Sequence, residues 1–207
     1  MTGFAARTLY LVRHAEALPD ESELTDGGRR QAELLGARLR GVPLSVIHHG
    51  PLARAARTAE LVAERLPGVP TRSSEAAGDY VPYRPARTEL PADCAGPLLA
   101  FLDRIPPDDD AHGRAMADVA LDRFTGPPAD GMASHELVVT HNFLIGWLVR
   151  AAQYAPEWRW LGINQCHAAL TVIRYTSDRP PAVLVFNDMA HLPSELRWTG
   201  FPSKLPC

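Results

Sequence analysis

Apolar and polar positions along the first third of the chain predict strands and helices in alternation. Residues 8–12 form a short β-branched and aromatic run that stops at charged residues, which is typical of a buried strand. A helix is predicted from the N-cap pair at residues 25–26 to Gly41, because apolar side chains recur there at helical spacing. Residues 44–47 repeat the strand pattern, and Pro51 opens a second, amphipathic helix. The opening of the chain therefore predicts the order β-α-β-α.

The rest of the chain continues this alternation after one long irregular stretch. Residues 73–97 are rich in proline, glycine and polar residues and have no clean period, so they predict a long loop of the kind that is functional or poorly ordered. Further segments have apolar periodicity: helices at residues 98–105, 115–124 and 143–152, and strands at residues 136–140, 168–175 and 182–186. This order predicts one α/β domain over residues 1–207, a three-layer α/β/α sandwich with a mostly parallel sheet. We expect a loop and helical cap around residues 73–130.

The composition and charge of the 207 residues exclude several classes of protein. Hydrophobic residues make up 46% and charged residues 22%, which is typical of a soluble globular chain. The net charge of −3 is too balanced to indicate nucleic acid or an anionic membrane surface as a partner. No stretch approaches the roughly 20 apolar residues that span a bilayer. We therefore expect neither a nucleic acid nor a membrane partner, and the oligomeric state is left open.

Cysteine usage and the N-terminus bear on the cellular location. Cys94, Cys166 and Cys207 lie far apart without CxxC spacing, and an odd number cannot all pair within one chain, which favours a reducing compartment. Residues 1–7 lack the apolar core of a secretory signal. These features predict a cytoplasmic protein.

Basic residues stand at the ends of three predicted strands or just after them. Arg13 and His14 follow the first strand, Arg54 lies near the start of the helix after the second, and His141 follows the strand at residues 136–140. In open α/β sheets, ligands bind outside the carboxyl ends of strands, so these side chains could converge. Guanidinium groups offer fork-shaped donors that match phosphate oxygens. The pattern therefore predicts a phosphate site.

Four motifs in this part of the chain resemble those of one enzyme family. They are LVRHAE at residues 11–16, LTDGGRRQA at 24–32, GPLARAART at 50–58 and VVTH at 138–141. In this order they resemble the phosphatase branch of the histidine phosphatase superfamily, the phosphoglycerate-mutase-like enzymes, over about two thirds of the chain. Each motif is weak alone, but the ordered set is specific.

The resemblance implies a role for each matching residue. His14 would be the nucleophile that attacks phosphorus and forms a phosphohistidine, and Arg13 and Arg54 would bind the phosphoryl oxygens. His141 would donate to the phosphoryl group as charge develops. Glu75 stands where the family often places the general acid that protonates the leaving oxygen. The substrate would be a small-molecule phosphomonoester.

The residues support this chemistry without the family. An imidazole is a nucleophile only when it is unprotonated, and neighbouring cations lower its pKa toward that state. Phosphoryl transfer needs positioning and electrostatic stabilisation of the equatorial oxygens, and the leaving oxygen needs a proton. Because arginines supply the positive charge, we expect neither a metal nor another cofactor.

Several residues depart from the family pattern. Ala15 stands where glycine is usual in the mutases, Gly50 where serine opens the arginine-bearing motif, and Asn142 where glycine or, in another branch, aspartate is common. The first two could widen the pocket or remove a hydroxyl donor, and the third could remove an acid. Only nine residues, 15–23, separate His14 from the next motif, which argues against a sugar-phosphate mutase.

Alternatives therefore stay open for the general acid and for the function. Glu75 is preferred as the acid, but Asp79 lies four residues further along the same loop. A phosphoglycerate-type mutase and a non-catalytic phosphate-binding or scaffold protein of the same fold are the alternatives to a phosphatase. The identity of the substrate is open.

Two other clusters are interpreted as structural. His48 and His49 are consecutive residues of a predicted strand and point to opposite faces, so they are poorly placed to bind one ion. Trp158 and Trp160 are expected to pack, although a substrate or interface role stays open.

Overall fold

The computed structural model of the protein describes residues 5–106 and 110–200, across which the chain forms six strands and five α-helices. The strands are β1 (Ala6–Arg13), β2 (Val46–His49), β3 (Thr71–Ser73), β4 (Ser134–Thr140), β5 (Leu170–Thr176) and β6 (Arg179–Asp188). The helices are α1 (Asp26–Leu39), α2 (Ala53–Ala63), α3 (Ala95–Leu102), α4 (Asp110–Phe124) and α5 (Asn142–Ala152). Every predicted element is present, and β3 is an addition.

All six strands belong to one sheet, in the order β3-β2-β4-β1-β5-β6. β3, β2, β4 and β1 pair in parallel, whereas β5 is antiparallel to β1 and β6 is antiparallel to β5. The mostly parallel sheet is therefore confirmed. The prediction missed β3 because its three residues are all exposed, so they show no apolar run.

Alternating side chains of the central strands separate two apolar layers. Leu9 and Leu11 of β1 pack toward α4 and α5, while Val12 packs toward α1 and α2. Successive side chains of a strand point to opposite faces, so a strand buried on both sides feeds both layers. The three-layer α/β/α sandwich expected from the sequence is thereby confirmed.

Local signals in the sequence set the helix boundaries that matter for the site. The hydroxyl of Thr25 accepts a hydrogen bond from the backbone N–H of Gly28 at 2.9 Å, so α1 begins at the predicted N-cap. The irregular stretch at residues 73–97 contains two short 3-10 helices, Glu75–Ala77 and Arg87–Glu89.

No helix within residues 5–106 and 110–200 combines the length and apolar character needed to cross a bilayer.

The carboxyl ends of β1, β2 and β4 meet at one edge of the sheet. Arg13 pairs in register with Thr140, and His49 pairs with Val139. The backbone N–H of His14 donates to the carbonyl of Thr140 at 2.8 Å, so the residues that follow β1 and β4 leave the sheet side by side. This edge is the one at which parallel sheets bind ligands.

Candidate active site

His14 lies at this edge with its ring orientation set by two hydrogen bonds. Its side chain is 7% exposed, and Nδ1 lies 2.8 Å from the carbonyl oxygen of Ala15. A carbonyl only accepts, so Nδ1 carries the proton. The opposite nitrogen, Nε2, accepts from Nε of Arg54 at 3.2 Å. His14 therefore presents the lone pair of Nε2 toward the arginine.

The surroundings of His14 keep its ring neutral. Burial lowers the pKa of His14 to about 2, and the nearby His141, Arg13 and Arg54 act in the same direction. The hydrogen bond to Ala15 acts in the opposite direction and favours the protonated ring. A neutral imidazole, whose Nε2 is unprotonated, is the form that can attack phosphorus.

Arg54 projects from the first turn of α2 and is held by carboxylates on both arms of its guanidinium. Nη1 lies 2.6 Å from Oε2 of Glu21, and Nη2 lies 2.7 Å from Oδ2 of Asp79. The Arg54 side chain is only 7% exposed, so it is fixed in direction. The two carboxylate oxygens lie where a guanidinium fork would bind two phosphoryl oxygens.

Arg13 reaches the same place from the end of β1. Its Nη1 donates to the carbonyls of Gln165 at 2.9 Å and Gly200 at 3.0 Å. Gly200 has φ +91°, and a Cβ at that position would lie 2.5 Å from Nη1 of Arg13. Only glycine fits there without displacing the arginine.

His141 stands at the N-cap position of α5, directly across from His14. The two ring centroids are 5.1 Å apart, and His141 is 1% exposed. Neither ring nitrogen of His141 has a hydrogen-bond partner among the described residues, although Nδ1 lies 3.4 Å from Oδ2 of Asp79. Burial, followed by the charges of Arg54 and Arg13, lowers the pKa of His141 to about 3. A buried imidazole that makes no hydrogen bond can donate its N–H to a bound anion.

Two adjoining cavities lie at this edge of the sheet. Arg13, His14 and Arg54 line a cavity of about 330 Å³, which we call the phosphate pocket. A second cavity of about 670 Å³, which we call the cleft, lies beside it, and Asp79 and Phe143 line both. The structure thus brings Arg13, His14, Arg54 and His141 to one place.

The two candidate acids occupy different positions. Glu75 opens the short 3-10 helix and lines the cleft, and its carboxylate has no hydrogen bond or ion pair among the described residues. Asp79 stands between the two cavities, where a third of its side chain is open to solvent although protein surrounds it on most sides. Burial raises the pKa of Asp79, while the positive charge of Arg54 acts in the opposite direction.

A third imidazole, which the sequence analysis missed, lines the phosphate pocket. The ring centroid of His167 lies 5.2 Å from that of His14. Burial lowers the pKa of His167 to about 2, and Arg13 acts in the same direction. His167 precedes β5, and because β5 runs antiparallel to β1, the residue before that strand lies at the edge where the parallel strands end. A search of both ends of each strand for histidines would have found it.

The residues that depart from the family pattern have structural roles. A Cβ on Gly50 would lie 2.4 Å from the carbonyl oxygen of Ala77, so this position is close packed rather than widened. Ala15 is fully buried, and its N–H donates to the hydroxyl of Thr58 at 3.0 Å. Oδ1 of Asn142 accepts from the N–H of Gln165 at 2.7 Å and thereby holds the loop that carries His167.

Trp160 and His48, which belong to the two other clusters singled out in the sequence, lie inside the core. Trp160 is 2% exposed, and its Nε1 donates to the carbonyl of Tyr83 at 2.8 Å, so it packs as expected. His48 is buried against Phe124. Within residues 5–106 and 110–200, no group of three or more histidine, cysteine, aspartate or glutamate side chains is arranged to hold a metal ion.

Comparisons with known proteins identify the family of this chain. A family model described as the histidine phosphatase superfamily (branch 1) matches residues 9–188. The chain is 29% identical over 206 residues to "Serine/threonine-protein phosphatase Pgam5, mitochondrial" of Caenorhabditis briggsae, which covers 94% of this chain and 68% of that protein. The chain spans about two thirds of the length of the curated relatives of this name.

Solved structures share the fold. A phosphoglycerate mutase of Plasmodium falciparum matches with a TM-score of 0.60 and 19% identity, over 92% of this chain and 96% of that one. A phosphoserine phosphatase mutant of Entamoeba histolytica, in complex with phosphoserine, matches with a TM-score of 0.64 and 19% identity, over 90% of this chain and all of that one. At this identity the likeness shows the fold alone.

The relatives correct one expectation from the sequence. Their names place those proteins in mitochondria, so the cytoplasmic location expected from cysteine spacing and the N-terminus is wrong. Compartments are read from targeting segments, and the composition of a catalytic domain does not encode them. The prediction of an enzyme, a phosphatase of the histidine phosphatase type, is confirmed by the family and by these names. The chain belongs to the histidine phosphatase superfamily.

Proposed function

We propose that this phosphatase hydrolyses small-molecule phosphomonoesters through a phosphohistidine on His14. One observation supports the proposal: Nε2 of a neutral His14 faces Arg54 in a pocket that Arg13 also lines, with the ring of His141 5.1 Å from that of His14. The proximity of these four side chains supports a shared role at one phosphoryl group.

In the first step, the Nε2 lone pair of His14 attacks phosphorus while the bond from phosphorus to the leaving oxygen breaks. Nε of Arg54 turns from His14 to a phosphoryl oxygen, and both arginines stabilise the equatorial oxygens. His141 donates to the same group. Positive charge develops on the His14 ring, and the hydrogen bond from Nδ1 to the carbonyl of Ala15 stabilises it.

The leaving oxygen takes its proton from a carboxylic acid, for which we propose Glu75. Glu75 lines the cleft beside the phosphate pocket, on the side where a leaving group would extend, and within the described part of the chain no arginine pairs with its carboxylate. In the second step, the Glu75 carboxylate takes a proton from water, the water oxygen bonds to phosphorus, and the bond between Nε2 and phosphorus breaks. Free phosphate then leaves, and His14 regains its lone pair.

Asp79 is the alternative acid, because its raised pKa favours a protonated carboxyl at the boundary of the two cavities. Its ion pair with Arg54 instead suits a role in orienting the arginine. Neither route passes through a metal ion, since the two guanidinium groups provide the positive charge.

We also propose that the chain acts as one domain over residues 1–207, with a cap around residues 73–130. The described part of that region supplies most walls of the cleft, among them Tyr80, Val81 and Phe101. Arg84 ties this wall together, because it pairs with Asp110 of α4 and donates to the carbonyl of Leu102 in α3.

The test is to trap the phosphoenzyme. The protein is mixed with ³²P-labelled phenyl phosphate and quenched in base, and the retained label is then exposed to acid. We expect label that is stable in base and lost in acid, absent from His14→Asn and present in the control His135→Asn, which changes a histidine at the opposite end of β4. Turnover by His14→Asn at the wild-type rate, or label that survives acid, would refute the proposal.

A further inference from the structure

The cleft next to the phosphate pocket is an apolar and aromatic space. Pro51, Leu52, Val81, Phe101, Ile105 and Phe143 are among its lining residues. Phe101 and Phe143 meet edge to face with ring centroids 6.0 Å apart, and Phe143 meets Trp160 in the same way at 4.9 Å. Phe101 is 40% exposed, so part of its ring is open for contact with a molecule in the cleft. Aromatic surfaces of this kind bind flat apolar groups.

The ionisable side chains of the cleft are acidic or imidazole. Among the described lining residues they are Glu75, Asp79, Asp110 and His112, with no lysine or arginine. Arg84 lies close by, but both nitrogens on one side of its guanidinium bind the carboxylate of Asp110. Its Nη groups also donate to main-chain carbonyls, so the Arg84 guanidinium is held within the wall of the cleft by protein acceptors.

A carboxylate on the leaving group would therefore lose water without gaining a cation. It would also approach Glu75, whose own carboxylate has no cationic partner among the described residues. Burial of an unpaired charge is costly, whereas burial of an aromatic ring against Phe101 and Phe143 is favourable. Cleft and phosphate pocket share Asp79 and Phe143, so one molecule can occupy both.

We propose that the substrates are phosphomonoesters whose leaving group is aromatic and carries no negative charge. This inference rests on the proposed function, because it assigns the cleft to the leaving group of the ester cleaved at His14. It sets this chain apart from an enzyme for phosphoglycerate, whose leaving group bears a carboxylate.

The test compares four aryl phosphates as substrates. 4-Carbamoylphenyl and 4-carboxyphenyl phosphate have the same shape and differ in charge, and 2-naphthyl and phenyl phosphate differ in apolar area. We expect kcat/KM for the carbamoyl ester to exceed that for the carboxyl ester by about ten-fold or more, mainly through KM, and naphthyl to exceed phenyl by several-fold.

Two variants locate the effect in the cleft. Leu52→Lys places a cation in the wall and should bring the carbamoyl-to-carboxyl ratio close to one. Phe101→Ala should remove most of the naphthyl preference, whereas Leu184→Ala, which truncates an exposed side chain on β6, should leave it unchanged. Equal rates for the charged and uncharged esters would overturn this inference alone. If none of the four esters releases phosphate, the proposed function is overturned, and the inference with it.

A separate observation concerns the proton on His167. Nδ1 of His167 lies 3.2 Å from the hydroxyl of Thr199, and that hydroxyl accepts from Nε2 of Gln31 at 2.9 Å. The backbone N–H of His167 donates to the carbonyl of Thr199 at 3.1 Å, so the two residues are held together. Among the described residues, the hydroxyl hydrogen of Thr199 has no acceptor besides Nδ1 of His167. When this hydroxyl donates to Nδ1, the proton of the neutral ring stands on Nε2.

We infer that His167 is a further catalytic residue, whose Nε2–H donates to the phosphoryl group in the transition state. The ring lines the phosphate pocket on the side of His14 where Arg13 lies, and the residues at 199 and 200 hold both His167 and Arg13 in place. A neutral donor stabilises developing charge on oxygen without competing with His14 for protons.

The variants His167→Phe and His167→Gln test this role. Phenylalanine keeps a ring and loses the donor, so we expect kcat to fall about 10- to 100-fold with a smaller change in KM. Glutamine restores an N–H donor and should recover part of the loss. Wild-type kcat in His167→Phe would overturn the inference. Nitrogen-15 NMR of the wild-type protein gives a second measurement, and a proton on Nδ1 of His167 would overturn it as well.

Discussion

Asp79 binds Arg54 at the boundary of the phosphate pocket, with 2.7 Å between Oδ2 and Nη2. The same carboxylate oxygen lies 3.4 Å from Nδ1 of His141, and Glu21 holds the other arm of the guanidinium at 2.6 Å. Two protein carboxylates therefore occupy the guanidinium donors that the proposed function assigns to a phosphoryl group. If Arg54 binds that group, the substrate displaces at least one of the carboxylates, and this exchange sets part of the apparent affinity.

Replacing Glu21 should strengthen substrate binding. Its side chain is 59% exposed and its φ is +59°, so a loop residue in a strained conformation competes with the phosphate for Arg54. An exposed ion pair is worth about 0–1 kcal/mol, so Glu21→Gln should lower KM by up to about five-fold at unchanged kcat. Steady-state kinetics with phenyl phosphate measures this. Glu23→Gln, which removes a carboxylate paired with Arg29 in the same loop, is the control. A higher KM in Glu21→Gln would show that Glu21 supports the site.

Kinetics with different leaving groups should distinguish the two candidate acids, Glu75 and Asp79. Loss of a general acid slows poor leaving groups most, because good ones depart without a proton. We expect Glu75→Gln to lower kcat about 100-fold on phenyl phosphate and only a few-fold on p-nitrophenyl phosphate. Asp79→Asn should act mainly on KM through Arg54. If Asp79→Asn shows the leaving-group dependence and Glu75→Gln does not, the acid is Asp79.

The buried imidazoles should make the fold sensitive to acid. Burial lowers the pKa of His141 to about 3, whereas an unfolded histidine titrates near 6.5. Between these values the unfolded chain binds a proton that the folded chain does not, so the free energy of unfolding falls as pH falls below about 6.5. From pH 7.5 to 5 the loss is about 2 kcal/mol per imidazole.

Urea denaturation at the two pH values measures this effect. His141→Asn removes one such imidazole, so its free energy of unfolding should fall less between pH 7.5 and 5 than that of the wild type. The same slope in both proteins would show that His141 gains its proton as readily in the folded state as in the unfolded one.

A methyl group at position 200 should weaken phosphate binding. In Gly200→Ala the new Cβ would lie 2.5 Å from Nη1 of Arg13, and the φ of +91° is unfavourable for alanine. We expect KM, and the inhibition constant of inorganic phosphate, to rise about ten-fold because Arg13 is displaced. Gly131→Ala is the matched control, since its φ is +69° and a Cβ there meets nothing within 4 Å. Equal effects of the two variants would mean that backbone strain alone is responsible.

The amino-acid sequence by itself determined the α/β layers and the strand ends that carry the site. The alternation around Leu9, Leu11 and Val12 sends side chains to both faces of β1, so it encodes a strand buried on both sides. Arg13, His14 and His141 directly follow or end such strands, which made their edge of the sheet readable from local pattern alone.

Only the tertiary structure decided what surrounds those residues. His167 lies at the pocket because β5, which follows it, runs antiparallel to β1. Gly200 binds Arg13 across 187 residues of sequence. β3 joins the sheet although its exposed residues have no apolar pattern. The ion pair between Glu21 and Arg54 and the close packing of Gly50 against Ala77 likewise join segments that are distant in sequence. Periodicity records which face of an element is buried, whereas contacts between distant segments depend on how the elements pack, and no local pattern encodes that.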